Sequence, residues 1–457
     1  MRPLLAASLV ASSALLCLEG TAGAQFSFGS YGRVNAASDL RGGSGRQANI
    51  IAYGPRLDLP SYAEIQLERR DSYGSTYGEG IRTNIVFTLG IAAPLFHETG
   101  KFEAQTAVRN LYADVTGIFH KSFTAWVGSR MYRGDDIYLL NWWPLDNLNM
   151  VGGGVKLALD TSAPDATTVA IAVGLGRSSD PFSYQVQPSL RPTGLGTADV
   201  IVLDRPRVVV SERLQHIQKI DGPAGVKVVL YAEQHAMSRG VRTNEAGLKE
   251  ELPAENGSMI GAQVGFFTGK RDTFVNLFFR YATGIAAYGD KTLPSALSLD
   301  KNTNGAHEAL AAISSNVEVG PLGVLIGAYV RGFRDASGNP NSRSTFNEGT
   351  FTIRPQLWIG EHVGISGEWS YQSYSTAGVN DAGQPDRAKV NRFAFVPFLT
   401  PSGRGSFARP QLSLVYVYTA RDAGAKGLYP ADDRFARRSG EHYLGLGAEW
   451  WFNSSYR

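Results

Sequence analysis

Apolar and polar side chains alternate along most of this chain. Between Ser61 and Arg69, Ala63, Ile65 and Leu67 share one parity, while Tyr62, Glu64, Gln66 and Glu68 share the other. Successive strand residues point to opposite faces, so the spacing predicts a strand with one apolar and one polar side. The split recurs. Val226, Val228 and Leu230 oppose Lys227 and Glu233, and Val275, Leu277, Phe279 and Tyr281 oppose Asn276 and Arg280. Leu412, Leu414, Tyr416 and Tyr418 oppose Gln411 and Ser413, and Leu444, Leu446, Ala448, Trp450 and Phe452 oppose Glu449. The off-face holds Gly, Ala, Ser, Asn and Arg, as a wet lumen would. The outer face of a soluble sandwich is as polar, so alternation alone leaves both architectures open.

Eighteen segments of this kind begin near residues 26, 60, 81, 101, 122, 148, 166, 200, 223, 258, 272, 307, 322, 348, 363, 389, 408 and 441. Their connections near 37–59, 132–147, 177–199, 237–257, 284–306, 334–347, 375–388 and 420–440 are long and polar, whereas Lys270-Arg271, Gly320-Pro321 and Glu361-His362 are close to minimal turns. The connections near 71–80 and 93–100 are intermediate. An even strand count with long loops at one end and short turns at the other predicts an all-β transmembrane antiparallel β-barrel, with periplasmic turns and extracellular loops. A barrel of sixteen to eighteen strands encloses an aqueous channel, whereas about eight strands fill their interior with side chains. Aromatic residues crowd the strand ends, in Trp369 with Tyr371, Tyr416 with Tyr418, and Trp450-Trp451-Phe452. They suit interfacial girdles, although such rings also fill ordinary β cores.

Composition narrows the choice. Arg2, the apolar run from Leu4 to Leu18 and the small residues Ala22-Gly23-Ala24 read as a secretory signal peptide over 1–24, leaving a barrel domain over 25–457. Cys17 is the single cysteine, so the exported part carries no disulfide. No later stretch approaches the 18 apolar residues of a membrane helix, and in a bilayer only helices and closed barrels satisfy the backbone. A net charge of +3 gives no reason to expect a nucleic-acid partner. A nucleophile elbow, a His-Glu-x-x-His and a phosphate loop are all missing, and the seven histidines are dispersed, so no enzyme chemistry is expected. Gly152-Gly153-Gly154 falls inside a strand and reads as a bend or close approach. Asp135-Asp136 and Asp432-Asp433 read as solvated loop charge, with no metal and no cofactor implied.

Specific stretches resemble the maltoporins, the carbohydrate-selective outer-membrane porins. They are Phe28-Gly29-Ser30-Tyr31-Gly32-Arg33, Tyr62-Ala63-Glu64-Ile65, Gly128-Ser129-Arg130-Met131-Tyr132 with the run to Trp143, Asn276 to Thr283, Asn304-Gly305, and Arg409-Pro410 leading to Tyr416-Val417-Tyr418. The likeness is scattered over about half the chain and faint from about 160 to 260. It implies an outer-membrane homotrimer in which a third loop folds into the pore. It also implies passive diffusion of maltodextrin-like oligosaccharides over a file of rings, flanked by polar side chains that exchange hydrogen bonds with the hydroxyls. Each contact must be weak and repeated for conduction to occur.

Carried over by position, Tyr31, Tyr62 and Phe274 resemble the aromatic track, and Arg33, Arg56, Arg109 and Glu64 the polar tracks. Trp143 takes the place of the family's constriction tyrosine, and Asn141 stands where an acidic residue is usual. Gly134 replaces a track arginine, Gly349 an aromatic for which Phe346 or Phe351 would substitute, and the family's first-loop disulfide is missing. The chain also runs on from Asn453 to Arg457 where a final aromatic is usual. Tyr62 and Glu64 could equally be ordinary strand residues, the arginines wall supports, and Trp142 with Trp143 a pin holding the loop to the wall. Two other readings stay open: a general or ion-selective porin without a sugar track, and a secreted soluble β protein that binds or degrades a polysaccharide.

Overall fold

The computed structural model describes residues 24–73, 80–159, 167–191, 194–268, 273–289, 294, 297–379 and 385–454. The signal-peptide expectation therefore lies outside the described residues except for Ala24. Eighteen strands form one antiparallel sheet. In chain order they are β1 (Gln25–Ser38), β2 (Tyr62–Tyr73), β3 (Ile81–Ala92), β4 (Gln105–Thr116), β5 (Phe123–Arg133), β6 (Asn147–Ala158), β7 (Thr167–Gly176), β10 (Arg207–Asp221), β11 (Ala224–Met237), β14 (Glu255–Phe267), β15 (Phe274–Gly284), β16 (His307–Val319), β17 (Leu322–Arg334), β18 (Phe346–Trp358), β19 (Val363–Val379), β20 (Pro385–Leu399), β21 (Gln411–Arg421) and β22 (Gly440–Phe452). Two hairpins stand apart, β8 (Tyr184–Leu190) with β9 (Thr197–Asp204), and β12 (Gly240–Thr243) with β13 (Lys249–Leu252). The first and last strands pair from Ser30 opposite Phe452 to Ser38 opposite Leu444, so the sheet closes on itself and leaves no edge.

The two faces are inverted relative to a soluble protein. Leu67, Phe279, Val330, Phe393, Leu412, Leu414 and Leu446 are exposed on the outside. Glu64, Thr88, Asn110, Asn316, Thr352, Ser370 and Gln372 are buried on the inside, each at no more than 1% exposure. A soluble sandwich or β-helix would bury the apolar parity, so this inversion excludes that architecture and matches a barrel whose outer wall meets lipid. Inside, carboxylates and guanidinium groups pair around the wall. Glu308 bridges Arg280 (2.6 Å) and Arg331 (2.5 Å), Arg331 also reaches Glu348 (3.1 Å), and Arg354 pairs with Glu368 (2.6 Å).

The eighteen starts agree with the sequence reading to within four residues, except one. The strand expected near 200 begins at Arg207, because the alternating stretch around 200 belongs to the β8–β9 hairpin. The long connection expected at 375–388 shrinks to 380–384, since β19 and β20 both run on past the barrel rim. The 93–104 connection, which carries a short helix at Phe96–Thr99, lies at the long-loop end. One connection at the short-turn end, 400–410, is itself long. The paired aromatics divide as well: Trp450 faces outward, its Nε1 donating to Ser30 Oγ (3.0 Å), whereas Trp451 turns inward toward Tyr31. Phe346 faces the lumen against Phe333 and Tyr374, while Gly349 and Phe351 share the outer parity. Within the glycine run, a Cβ on Gly152 would lie 2.0 Å from the Val173 carbonyl oxygen, so close approach of β6 to β7 explains that position.

Candidate functional site

The third long connection, residues 134–146, leaves β5 and crosses the lumen instead of standing above it. Its turn is made by a 3-10 segment at Tyr138–Leu140, closed by Asn141 in the left-handed region (φ 50°). An Ile137 N–H bond to the Trp142 carbonyl (2.7 Å) draws the two limbs together. Asparagine tolerates that backbone better than most residues. Around the wall the loop is held by charge: Asp135 by Lys227 (2.7 Å) and Gln263, the Pro144 carbonyl by Arg280 (2.6 Å), and Asp146 by Arg213 (3.5 Å). The sequence pattern predicts solvated charge at Asp135; the structure makes it an anchor. Glycine on the wall makes room for the loop. A Cβ on Gly327 would fall 2.8 Å from Ile137 Cγ2 and 3.1 Å from Leu139 Cβ.

A node at Glu449 of β22 fixes the loop's tip. Its Oε2 accepts from the Tyr138 hydroxyl (2.8 Å) and from Arg409 Nε (3.0 Å), and its Oε1 accepts from Arg56 and from the Tyr31 hydroxyl (3.2 Å). Arg56 lies over the Tyr138 ring at 4.1 Å, and its backbone N–H reaches the Leu139 carbonyl (3.1 Å), so the first connection, 39–61, is locked to the third. Tyr53 of that first connection stacks on Trp142 at 4.0 Å and 11°, with Tyr329 against both rings. The 400–410 connection enters from the opposite end. Its Phe407 meets Tyr138 edge-on (5.3 Å) and lies parallel to Phe274 (6.2 Å), and Arg409 covers Trp451 (4.3 Å).

The residues singled out by sequence largely converge here. Tyr31 is fully buried between Trp143, Tyr62 and Trp451, the last parallel to it at 6.5 Å. Arg33 donates to the Tyr31 hydroxyl (3.1 Å) and lies over the half-buried Tyr62 ring (5.3 Å). The Tyr62 hydroxyl bonds the buried Glu64, which Arg109 approaches at 3.7 Å. Trp143 is buried beneath Arg133 (4.0 Å), and Trp142 is buried against Tyr53, so both tryptophans pack the loop in place. Phe274 stands on the far side of Tyr138, joined to the group through Phe407. Sequence reasoning missed Tyr138, Phe407, Arg409, Glu449 and Trp451. Only the inward parity of Glu449 and Trp451 was available to find them. Among the described residues no cluster of His, Cys, Asp and Glu could hold a metal ion.

No curated protein matches the sequence. Among solved structures, the chain is similar to Pseudomonas aeruginosa OpdK with vanillate (12% identity, 94% of this chain and 99% of that one, TM-score 0.44). It is also similar to Acinetobacter baumannii OccAB2 (11%, 94% and 98%, 0.44) and to the trimer form of Vibrio cholerae OmpT (10%, 95% and 100%, 0.39). At that level these likenesses carry no inference about this chain. The LamB porin family model spans residues 26–452, which takes in every strand of the barrel. Its fold and family are those of an outer-membrane channel rather than an enzyme. Together with the closed eighteen-stranded wall and the loop folded across its lumen, the match establishes that this chain belongs to the LamB porin family.

Proposed function

We propose that this porin passes maltodextrin-like oligosaccharides by passive diffusion through its constriction. The observation that supports this reading is the meeting, at one level of the lumen, of a ring cluster with paired charges. Tyr31, Tyr62, Trp143 and Trp451 lie together, and Arg33, Arg56, Arg109 and Glu64 surround them. Rings present an apolar face to a pyranose, and the charged groups replace the water its hydroxyls give up. Tyr62 and Phe274 keep partly open faces and serve as the sliding surface. Tyr31 and Trp143 pack behind Tyr62, and Phe407 lies beside Phe274, so that these neighbours hold the angles of the sliding rings. Asn141, half-exposed at the turn of the third loop, contributes a further polar contact. The reading includes export by a leader over 1–24 and assembly as a homotrimer.

A second reading has its own observation. Arg109, Arg130, Arg177 and Arg207 line a hollow of about 310 Å³ beside the point where the β4–β5 ladder stops at Leu111 and Ser129, with Glu64 (3.7 Å from Arg109) and Asp204 (2.7 Å from Arg177) set against the four. That charge favours anionic solutes. Liposome swelling separates the two. With the sugar track, maltotriose enters faster than a trisaccharide of equal size but different shape, such as raffinose, and Tyr62→Ala removes the difference. Equal rates governed by size alone, together with an anion-selective reversal potential, would retire the sugar reading.

A further inference from the structure

The outer wall carries a second feature that lumenal transport does not use. On the long-loop half of β15 to β19 the lipid-facing side chains become small, leaving a hollow of about 1480 Å³. Two cross-strand rows form it. In one, Tyr281 neighbours Ala309, then Gly332, Asn347, Ser375 and Arg387. In the next, Phe279 neighbours Ala311, then Val330, Gly349, Ser373 and Lys389. The inward neighbours Tyr231, Leu310 and Tyr329 are buried, so the hollow opens outward. Its floor is Ala309, Ala311, Gly332 and Gly349, its wall on one side the exposed rings of Phe279 and Tyr281, and Val330 alone stands up from it.

The chemistry at the groove's rim is as distinctive as its floor. Lys389 and Arg387 close the two rows, and Arg334 stands above them at the end of β17, opposite His307. All three cations are exposed, and none has a carboxylate partner among the described residues. Arg343, in the connection above β18, adds a fourth that only grazes Asp386 at 3.9 Å. The nearest acid on the Lys389 side, Asp422, is occupied by the backbone N–H groups of Lys389 and Ala425. An apolar trough a few side chains long, capped at its extracellular end by unpaired positive charge, is complementary to a molecule with acyl chains below and phosphates above.

We propose that this groove binds one acylated, phosphate-bearing glycolipid of the outer leaflet, its chains lying over Ala309, Ala311 and Gly349 and its phosphates held by Arg334, Arg387 and Lys389. Basic side chains at a membrane surface attract anionic headgroups, and chain burial adds the apolar contribution.

The test uses the full-length purified protein in detergent, titrated with hexa-acyl bisphosphoryl lipid A or with dimyristoyl phosphatidylcholine and read by native mass spectrometry. The charge variant combines Arg334→Gln, Arg387→Gln and Lys389→Gln; the filling variant combines Ala311→Phe and Gly349→Phe. Pore conductance of both should match the unaltered protein, which shows that they fold. The expected result is one tightly held lipid A per chain, weakened on the order of a hundredfold in the charge variant. Phosphatidylcholine binding should be weak and indifferent to charge, and the filling variant should lose lipid A as well. Lipid A binding unchanged in both variants, or equal binding of the two lipids, overturns the proposal. So does dissociation of an oligomer by the filling variant with lipid binding intact, since the groove would then be a contact between copies of this chain.

Discussion

Replacing Glu449 by glutamine tests how the third loop is held. The carboxylate faces two guanidinium groups, Arg56 and Arg409, whose side chains are 5% and 2% exposed, and it accepts the hydroxyls of Tyr31 and Tyr138. A side-chain amide there would keep one acceptor oxygen, turn its NH2 toward groups that are themselves donors, and strand two buried cations. Removing one partner of a buried pair costs about 3 to 5 kcal/mol, part of it as unfolding stability and part as undocking of the loop. Tyr138→Phe isolates the loop's share, because it deletes one hydrogen bond to a charged acceptor, worth about 1.5 to 3 kcal/mol. That is roughly a ten- to hundredfold shift between docked and undocked loop. Single-channel recording in a planar bilayer reads it directly. Tyr138→Phe should raise mean conductance and add millisecond noise, and Glu449→Gln should do both more strongly while lowering the thermal unfolding midpoint. If neither variant changed conductance or noise, the loop would not be held by this node and the constriction as described would be wrong.

Three further outcomes follow from the same geometry. Leu446→Arg, outward and central in β22, should cost about 2 to 4 kcal/mol in urea unfolding from lipid vesicles, and a neutral result would place that wall outside the bilayer. Gly327→Val should overpack against Ile137 and Leu139, destabilise by about 1 to 3 kcal/mol, and raise conductance by displacing the loop; normal stability with normal conductance would mean that the loop does not touch β17. Glu250 of β13, held below the ordinary carboxylate range by hydrogen bonds from Arg242 (2.9 Å) and Lys301 (3.1 Å), ties the β12–β13 hairpin to the following loop. A depressed pKa contributes stability at neutral pH that is lost as pH falls through the lowered value, so hydrogen exchange in the hairpin should rise only once the pH drops below the ordinary carboxylate range. Glu250→Gln should show that faster exchange already at pH 7.

How far the sequence spoke depends on which interactions are local. Parity is local, and it placed Ile65, Leu277, Leu414 and Leu446 on the outer face and Glu64, Asn276 and Glu449 on the inner one, with eighteen strands counted correctly. It failed around residue 200, because the β8–β9 hairpin alternates as a barrel strand does while pairing only with itself. Resemblance drew attention to Tyr31, Tyr62 and the run to Trp143, which do meet in space. Tyr138 and Arg409 lie in stretches that carry the resemblance, but nothing local gave either of them, or Phe407, a role. Their importance comes from two connections that enter the lumen from opposite ends and meet, and contacts between chain segments some 270 residues apart leave no periodic trace. The twin Trp450 and Trp451 show the same limit: composition reads both as girdle, and only register sends one inward.

The most direct test of the proposed sugar path is the ion conductance of the purified protein in a planar bilayer, titrated with maltooligosaccharides of increasing length. The account predicts saturable block that tightens as the chain grows and is weakened by Tyr62→Ala. Steady conductance at every sugar length would contradict the sugar track while leaving the porin in place.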